Sequence, residues 1–296
     1  MKVKQRPLAN QIADPDHAAV AAAWGDDLPA FEPEFAPIYR LLPHRRKELA
    51  GFELLATAGG LRYGTIQERL ASVQTAFERW LLKVHADTLH DLFARMRSIG
   101  ATLSERHLIF SINLSKLVIE PHRFDTLWRR FDVIQRFICF ELHESLTKQD
   151  VAAIRRWYAS LGEPAPRLAL DDVMPIGAPS YDLDVGLALA KDPGVHHVKV
   201  DWKRATGWSQ DSIKDLLDRL EQIMALFRNA EIVVEGATPS DVVALQRALV
   251  DDPKRNPGGR TIMVQVHGDD LPVGDPLNIH LERRSGGYGY YLRRIG

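Results

Sequence analysis

Two hydrophobic periods alternate along this chain. Eight short runs rich in β-branched and aromatic residues read as strands: FAPIYRL (35–41), AGFELLA (50–56), HLIFSIN (107–113), FICFELHE (137–144), RLALDD (167–172), HHVKVD (196–201), EIVVEG (231–236) and TIMVQVH (261–267). Between the second and third lies a long stretch, 65–96, whose Leu, Val, Phe and Trp recur at three- and four-residue steps, the signature of an amphipathic helix. Shorter helical stretches at 122–137, 150–161, 182–191, 212–227 and 239–249 separate the later strands. Such alternation implies parallel strands joined by crossover helices, and eight strands permit closure into a barrel. The first pair breaks the rule. Only LPHRRKE joins the first strand to the second, too short for a parallel crossover, so these two form an antiparallel hairpin. The expected fold is an α/β, TIM-like (β/α) barrel with its first strand antiparallel.

The ends of the chain are patterned differently. Residues 1–32 read as an N-terminal extension in which DPDHAAVAAAW forms a short helix capped by Asp14 or Asp16. The barrel domain is expected over 33–275, followed by a basic and aromatic tail, 276–296, with four arginines and three tyrosines around a Gly-Gly pair. Such a tail can grip single-stranded nucleic acid or a phosphate. An edge strand covering the barrel is the preferred reading, because the segment is short and the rest of the chain is not basic.

Composition narrows the class. With 296 residues, 45% hydrophobic and 26% charged, the chain can bury one large core or two modest ones, and a formal net charge of -1 argues against nucleic acid as a partner. Cys139 is the single cysteine and lies in an apolar run, so it reads as core packing in a reducing setting. No apolar stretch approaches the roughly 20 residues of a membrane span. The start of the chain also lacks the apolar region of a signal peptide, so a soluble, cytoplasmic protein without membrane partners is expected.

Chemistry enters where polar residues interrupt the strands. Asn113, Glu141, Asp171, Lys199 and Glu235 are spaced by 28, 30, 28 and 36 residues, close to the roughly 30 of one strand-helix unit. Each falls at the same place in its unit, and Glu53 joins them from the hairpin. In a barrel the carboxyl ends of the strands converge on one face, so these groups meet in one cleft. Taken singly, Glu141 could pair with an arginine, Asn113 could cap a turn, and Asp171 with Asp172 could start a loop or a helix. Together, several carboxylates in a small volume repel one another unless a cation offsets them. Oxygen donors without Cys or His favour Mg²⁺ or Mn²⁺ over zinc. With Asp171 and Asp172 adjacent, two ions are expected, the arrangement suited to phosphodiester cleavage, with Lys199 orienting water or stabilising the developing charge.

These segments resemble the EAL domains, which hydrolyse the bacterial messenger cyclic di-GMP. GFELLA is similar to the signature segment with Leu54 in place of its alanine. SINLS, FELHES, LALDDV, VKVD and VVEGA follow the family's later motifs in order, over roughly residues 33–275. The resemblance implies that Glu53, Asn113, Glu141 and Asp171 bind a first Mg²⁺ or Mn²⁺ ion, with Asp172 shared with or bound to a second. It implies Lys199 and Asp201 beside the attacking water and Glu235 as an acid/base or water-positioning group. Glu144 would anchor the loop after the double aspartate, and Leu55 and Gln265 would contact substrate.

Four places depart from the family pattern. The arginine that follows the signature glutamate by four residues is Thr57 here, and the second glutamate of the late EGVE motif is Thr238. The loop after Asp172 reads VMPIGAPS, stiffened by Pro175 and Pro179. The glutamine-glycine pair has only QVHG as its counterpart, through Gln265 or His267 with Gly268. Two functions follow from the retained and altered residues: a metal-dependent cyclic di-GMP phosphodiesterase, or a non-catalytic module that binds cyclic di-GMP or a regulatory protein partner. A barrel enzyme acting on another phosphoester is a third. A homodimer packed near the altered loop also fits the family.

Overall fold

All eight apolar runs form strands of one closed barrel. The computed structural model describes residues 14–25, 28–58, 61–98, 108–119, 121–143, 145–173, 183–201, 213–252, 254–256, 258–266, 281–283 and 290–292. Helix α1 (Pro15–Trp24) leads into the hairpin β1 (Phe31–Leu42) and β2 (Arg46–Ala58). A short β3 (Leu61–Arg62) precedes α2 (Tyr63–Arg69) and α3 (Gln74–Ser98). Then come β4 (Ile109–Leu114), α4 (Pro121–Arg129), β5 (Ile138–Leu142), α5 (Lys148–Ser160), β6 (Arg167–Leu170) and α6 (Leu183–Leu189). The barrel is completed by β7 (His197–Asp201), α7 (Ile213–Leu226), β8 (Glu231–Glu235), α8 (Pro239–Leu245) and β9 (Ile262–Gln265).

Strand order around the barrel is β1-β2-β4-β5-β6-β7-β8-β9 and back to β1. β1 runs antiparallel to both of its barrel neighbours, whereas every step from β2 through β4 to β9 is parallel. The reversed first strand expected from the short connection is therefore present. Its turn places His44 and Arg45 at φ 62° and 59°, the left-handed region that suits the twist of a tight hairpin. At Gly51 a Cβ would sit 2.1 Å from the Ile109 carbonyl oxygen, so only glycine lets β2 approach β4 at this point.

Side-chain alternation divides the barrel into an outer and an inner face. The outward positions, among them Phe52, Phe110, Phe140, Val198, Ile232 and Val264, join the helices in one large core. The inward positions stack as layers. Ile38, Ala50, Val233 and Met263 form one apolar group and Ile109, Cys139 and Ala169 another, and two residues beyond Cys139, Ala169, Val233 and Met263 lie Glu141, Asp171, Glu235 and Gln265 at the mouth. Cys139 is fully buried, as its apolar run suggested, and its Sγ lies 3.4 Å from His197 Nδ1, while His197 Nε2 is 3.1 Å from Glu231 Oε2. Burial, with Glu141 nearby, pushes the thiol up.

Two details differ from the sequence reading. β1 starts at Phe31, four residues earlier than the apolar run, because its pairing with β2 extends to Phe31 opposite Ala58. The long helix is broken by a 3₁₀ turn at Ala71–Val73, which turns Ile66, Leu70 and Phe77 together toward Val20 and Trp24 of α1. In the tail, β10 (Leu281–Arg283) pairs with β11 (Tyr290–Leu292), which adds to β1 at Glu34 and Phe35, an edge hairpin. Helix α1 is capped by the Asp14 side chain, and Asp14 and Asp16 tie it to Lys83 and Arg79 of α3 at 2.7–2.9 Å. No described helix is long and apolar enough to cross a membrane.

Candidate active site at the carboxyl ends of the strands

Inward-facing positions near the end of each parallel strand carry the polar residues picked out by their spacing. Glu53 lies on β2, Asn113 on β4, Glu141 on β5 and Lys199 on β7; Glu235 and Gln265 close β8 and β9. Asp201 closes β7, in register with Glu235 and Gln265 of the next two strands. Leu55, half-buried and opposite Glu34, shares the strand face of Glu53 one step nearer the mouth.

Lys199 organises the cluster. Its Nζ lies 2.7 Å from Glu141 Oε2, 2.7 Å from Glu235 Oε1, 3.4 Å from Glu53 Oε2 and 3.4 Å from Asp171 Oδ1, with the lysine side chain 2% exposed. Glu53 is held from both sides: Asn113 donates to Oε1 at 3.1 Å and Gln265 to Oε2 at 2.8 Å. The last bond joins residues 212 apart in the chain, made neighbours by closure of the barrel.

The electrostatics follow from one ammonium among four carboxyl groups. Burial, together with the other carboxylates and against the pull of Lys199, raises Glu141 well above the usual carboxylate range. The same balance pushes Glu235 up to about 8. Burial would raise Glu53 too, but Lys199, Gln265 and Asn113 outweigh it and hold the group below its ordinary value. For Lys199 burial favours the neutral amine, and the surrounding carboxylates more than reverse that, so its pKa is raised and it stays charged.

The double aspartate sits where β6 ends. Asp171 N donates to Leu142 O at 3.0 Å and Val173 N to Lys199 O at 2.9 Å, extending the ladder on either side of Asp172. Asp172 adopts φ 48°, a left-handed conformation that Asp tolerates better than bulkier residues. One carboxylate oxygen from each of Asp171, Asp172 and Glu235 lies within 4.8 Å of the others, a grouping compatible with a shared cation. Glu141 Oε1 and Gln265 Oε1 are buried without a hydrogen bond. An all-oxygen donor set with unfilled acceptors fits a hard divalent cation, and the acidic centre is built from residues of several strands.

Two departures from the family pattern have local roles. Thr57 Oγ1 donates to the Glu32 carbonyl at 2.9 Å, turning toward β1 rather than presenting a cation to the mouth. Thr238 caps α8, exchanging hydrogen bonds with Asp241 in a capping box. Glu144, the loop 174–182, His267 and Gly268 lie outside the described residues.

No protein-family model and no curated protein sequence matches this chain. Solved structures do. The Xanthomonas citri FimX EAL domain in complex with c-di-GMP superposes with a TM-score of 0.57 at 14% identity, over 89% of this chain and 94% of that one. The fold is that of an EAL domain. The PaMucR phosphodiesterase in its c-di-GMP complex gives 0.56 at 18% identity, over 82% and 92%. The EAL enzyme Bd1971, with cAMP and cyclic di-GMP bound, gives 0.61 at 15% identity, over 91% and 69%. The likeness is one of fold, at low sequence identity.

Proposed function

We propose that the chain is a cyclic di-GMP phosphodiesterase of the EAL type, binding the cyclic dinucleotide across the carboxyl ends of its strands and opening it to the linear dinucleotide. The observation that carries this reading is the grouping of buried Glu53, Glu141, Lys199 and Gln265 with half-buried Asn113, Asp171, Asp172 and Glu235 at one barrel mouth. A pocket with no chemistry to perform has little reason to hold several mutually repelling carboxylates.

Asp171, Asp172 and Glu235 would hold one Mg²⁺ or Mn²⁺ ion, and Glu53, Asn113 and Glu141 a second. When bound, such ions lower the pKa of a coordinated water and neutralise phosphoryl oxygens. The protein supplies the rest. Lys199, kept charged by its carboxylate neighbours, is an electrostatic group rather than a base and stabilises negative charge developing on the phosphorus oxygens. Gln265 and Asn113 fix the orientation of Glu53, and Asp201 stands beside Glu235 to position the attacking water. Leu55 offers an apolar contact at the mouth for the nucleotide. Attack by water breaks one phosphorus-oxygen ester bond, and the departing sugar oxygen takes up a proton.

A second reading is a module that binds cyclic di-GMP, or a protein partner, without hydrolysis. It is favoured by Thr57, which bonds to Glu32 where an arginine would grip a phosphate, and by Lys199, whose ammonium already offsets the carboxylates. Calorimetric titration of cyclic di-GMP into the protein, with and without Mn²⁺, tests the shared part of both readings. Saturable binding that Mn²⁺ strengthens, and that Asp171→Asn with Asp172→Asn weakens, supports the site; no binding in either condition removes it. A cytoplasmic location and a homodimer are proposed with the same function.

A further inference from the structure

The opposite end of the barrel carries a cleft that the barrel mouth does not explain. It lies between the end of α7 and the described loop residues 254–256 and 258–260 before β9, has a volume of about 450 Å³, and is lined by Glu221, Met224, Lys254, Arg255, Asn256 and Arg260, among others. That volume falls within the ~300–1,000 Å³ typical of small-molecule sites.

The loop is held in shape by its own hydrogen bonds. Lys254 N donates to Asp252 Oδ1 at 2.9 Å, Arg255 N to Asp252 O at 3.2 Å and Gly259 N to Asn256 O at 2.9 Å. Asn256, 7% exposed, clamps Arg260 twice: Oδ1 accepts from Arg260 N and Nδ2 donates to Arg260 O, both at 2.9 Å. Arg260 Nη1 in turn donates to Phe227 O at 3.0 Å, locking the loop to the end of α7.

Three cationic side chains thus face one cleft against a single carboxylate. Glu221 reaches Arg255 only at 3.4 Å, a long contact between two side chains each more than a third exposed, and Arg255 Nη1 makes no hydrogen bond. Burial, with a smaller contribution from Arg228, holds the pKa of Arg260 below its ordinary value. Met224 supplies a buried apolar floor and Ala225 an exposed wall.

We propose that this cleft binds a small phosphate monoester, its phosphate on Lys254, Arg255 and Arg260 and its apolar or aromatic body against Met224. Arginine's planar fork matches the oxygens of a phosphate, and a cleft of this size exceeds what a bare ion would fill. The site is independent of the barrel mouth: Arg260 precedes β9, whereas Gln265 ends it.

The test is calorimetric titration of the purified protein with inorganic phosphate, pyrophosphate and a nucleoside 5′-monophosphate. The expected result is saturable one-to-one binding, tightest for the nucleotide and weakened by added salt. Lys254→Ser with Arg255→Ser should weaken it at least tenfold, and Glu53→Gln should leave it unchanged. Should the double variant fail to fold, Ala225→Glu, on the exposed wall, reads the same loss by placing a carboxylate in the cleft. Absence of saturation at millimolar concentrations of all three probes, or equal binding in the cleft variants, would overturn the proposal, as would loss of binding in Glu53→Gln.

Discussion

Lys199 Nζ lies 2.7 Å from Glu141 Oε2 at the centre of the barrel, with both side chains at most 2% exposed. Neither group survives burial alone. The ammonium stays charged because four carboxyl groups surround it, and it is the one cation contacting all four at 3.4 Å or less among the described residues. Replacing it with Met therefore leaves buried carboxylates uncompensated and should lower unfolding free energy by about 3–5 kcal/mol. Urea denaturation reads this directly, and addition of Mn²⁺ should restore part of the loss. An unchanged midpoint would show that Lys199 is not the counter-charge.

A cation at Asp171, Asp172 and Glu235 should stabilise the native state. At about 100 times its dissociation constant a bound ion adds about 2.7 kcal/mol. The urea midpoint should rise with Mn²⁺ in the native chain and rise less in the Asp171→Asn, Asp172→Asn variant, which retains only Glu53, Asn113 and Glu141 as ligands. Equal rises in both would move the binding site elsewhere.

Gly51 tests the closure of the barrel rather than its chemistry. A methyl group there meets the Ile109 carbonyl oxygen at 2.1 Å, which backbone pairing between β2 and β4 does not permit without displacement. Gly51→Ala should cost about 3 kcal/mol, at the upper end of overpacking effects. A thermal midpoint within a degree of the native chain would contradict the packing described.

His85 gives the protein an acid-sensitive element away from the mouth. It is 2% exposed on α3, its Nδ1 has no hydrogen bond, and burial holds its pKa down to about 3. Unfolding frees it to titrate near ~6.5. The folded value is the lower one, so the stability it contributes is intact above that pH and falls as pH drops from about 6.5 toward 3, by ~1.4 kcal/mol per unit. Comparing urea unfolding at pH 7 and pH 5, the native chain should lose about 2 kcal/mol more than His85→Leu. Parallel pH profiles for the two proteins would remove His85 as the cause.

Much of the barrel is legible in the sequence because its strands are buried on both faces and so appear as short apolar runs with single polar interruptions. Glu141 and Glu235 stand out in ICFEL and EIVVE for that reason. The reversed first strand follows from the few residues between FAPIYRL and AGFELLA. Side-chain reach is not legible in the same way. That Lys199 touches four carboxylates at once depends on barrel curvature, and that Gln265 bonds to Glu53 depends on β9 meeting β1 across the closure. The chain Cys139–His197–Glu231 was hidden because each member lies in an apolar run that reads as core. Thr57 and Thr238 read only as missing charges, whereas their hydroxyls bind Glu32 O and cap α8. The helix break at Ala71 follows from packing against α1, a contact between segments that local periodicity does not register.

Under the proposed function the acidic mouth hydrolyses a cyclic dinucleotide. Incubation of the purified protein with cyclic di-GMP and Mn²⁺, with products separated by chromatography, tests it most directly. Linear dinucleotide is expected from the native chain, and none from Glu53→Gln or from the native chain in the presence of a chelator. Intact cyclic di-GMP after hours with a folded, Mn²⁺-loaded protein would contradict it.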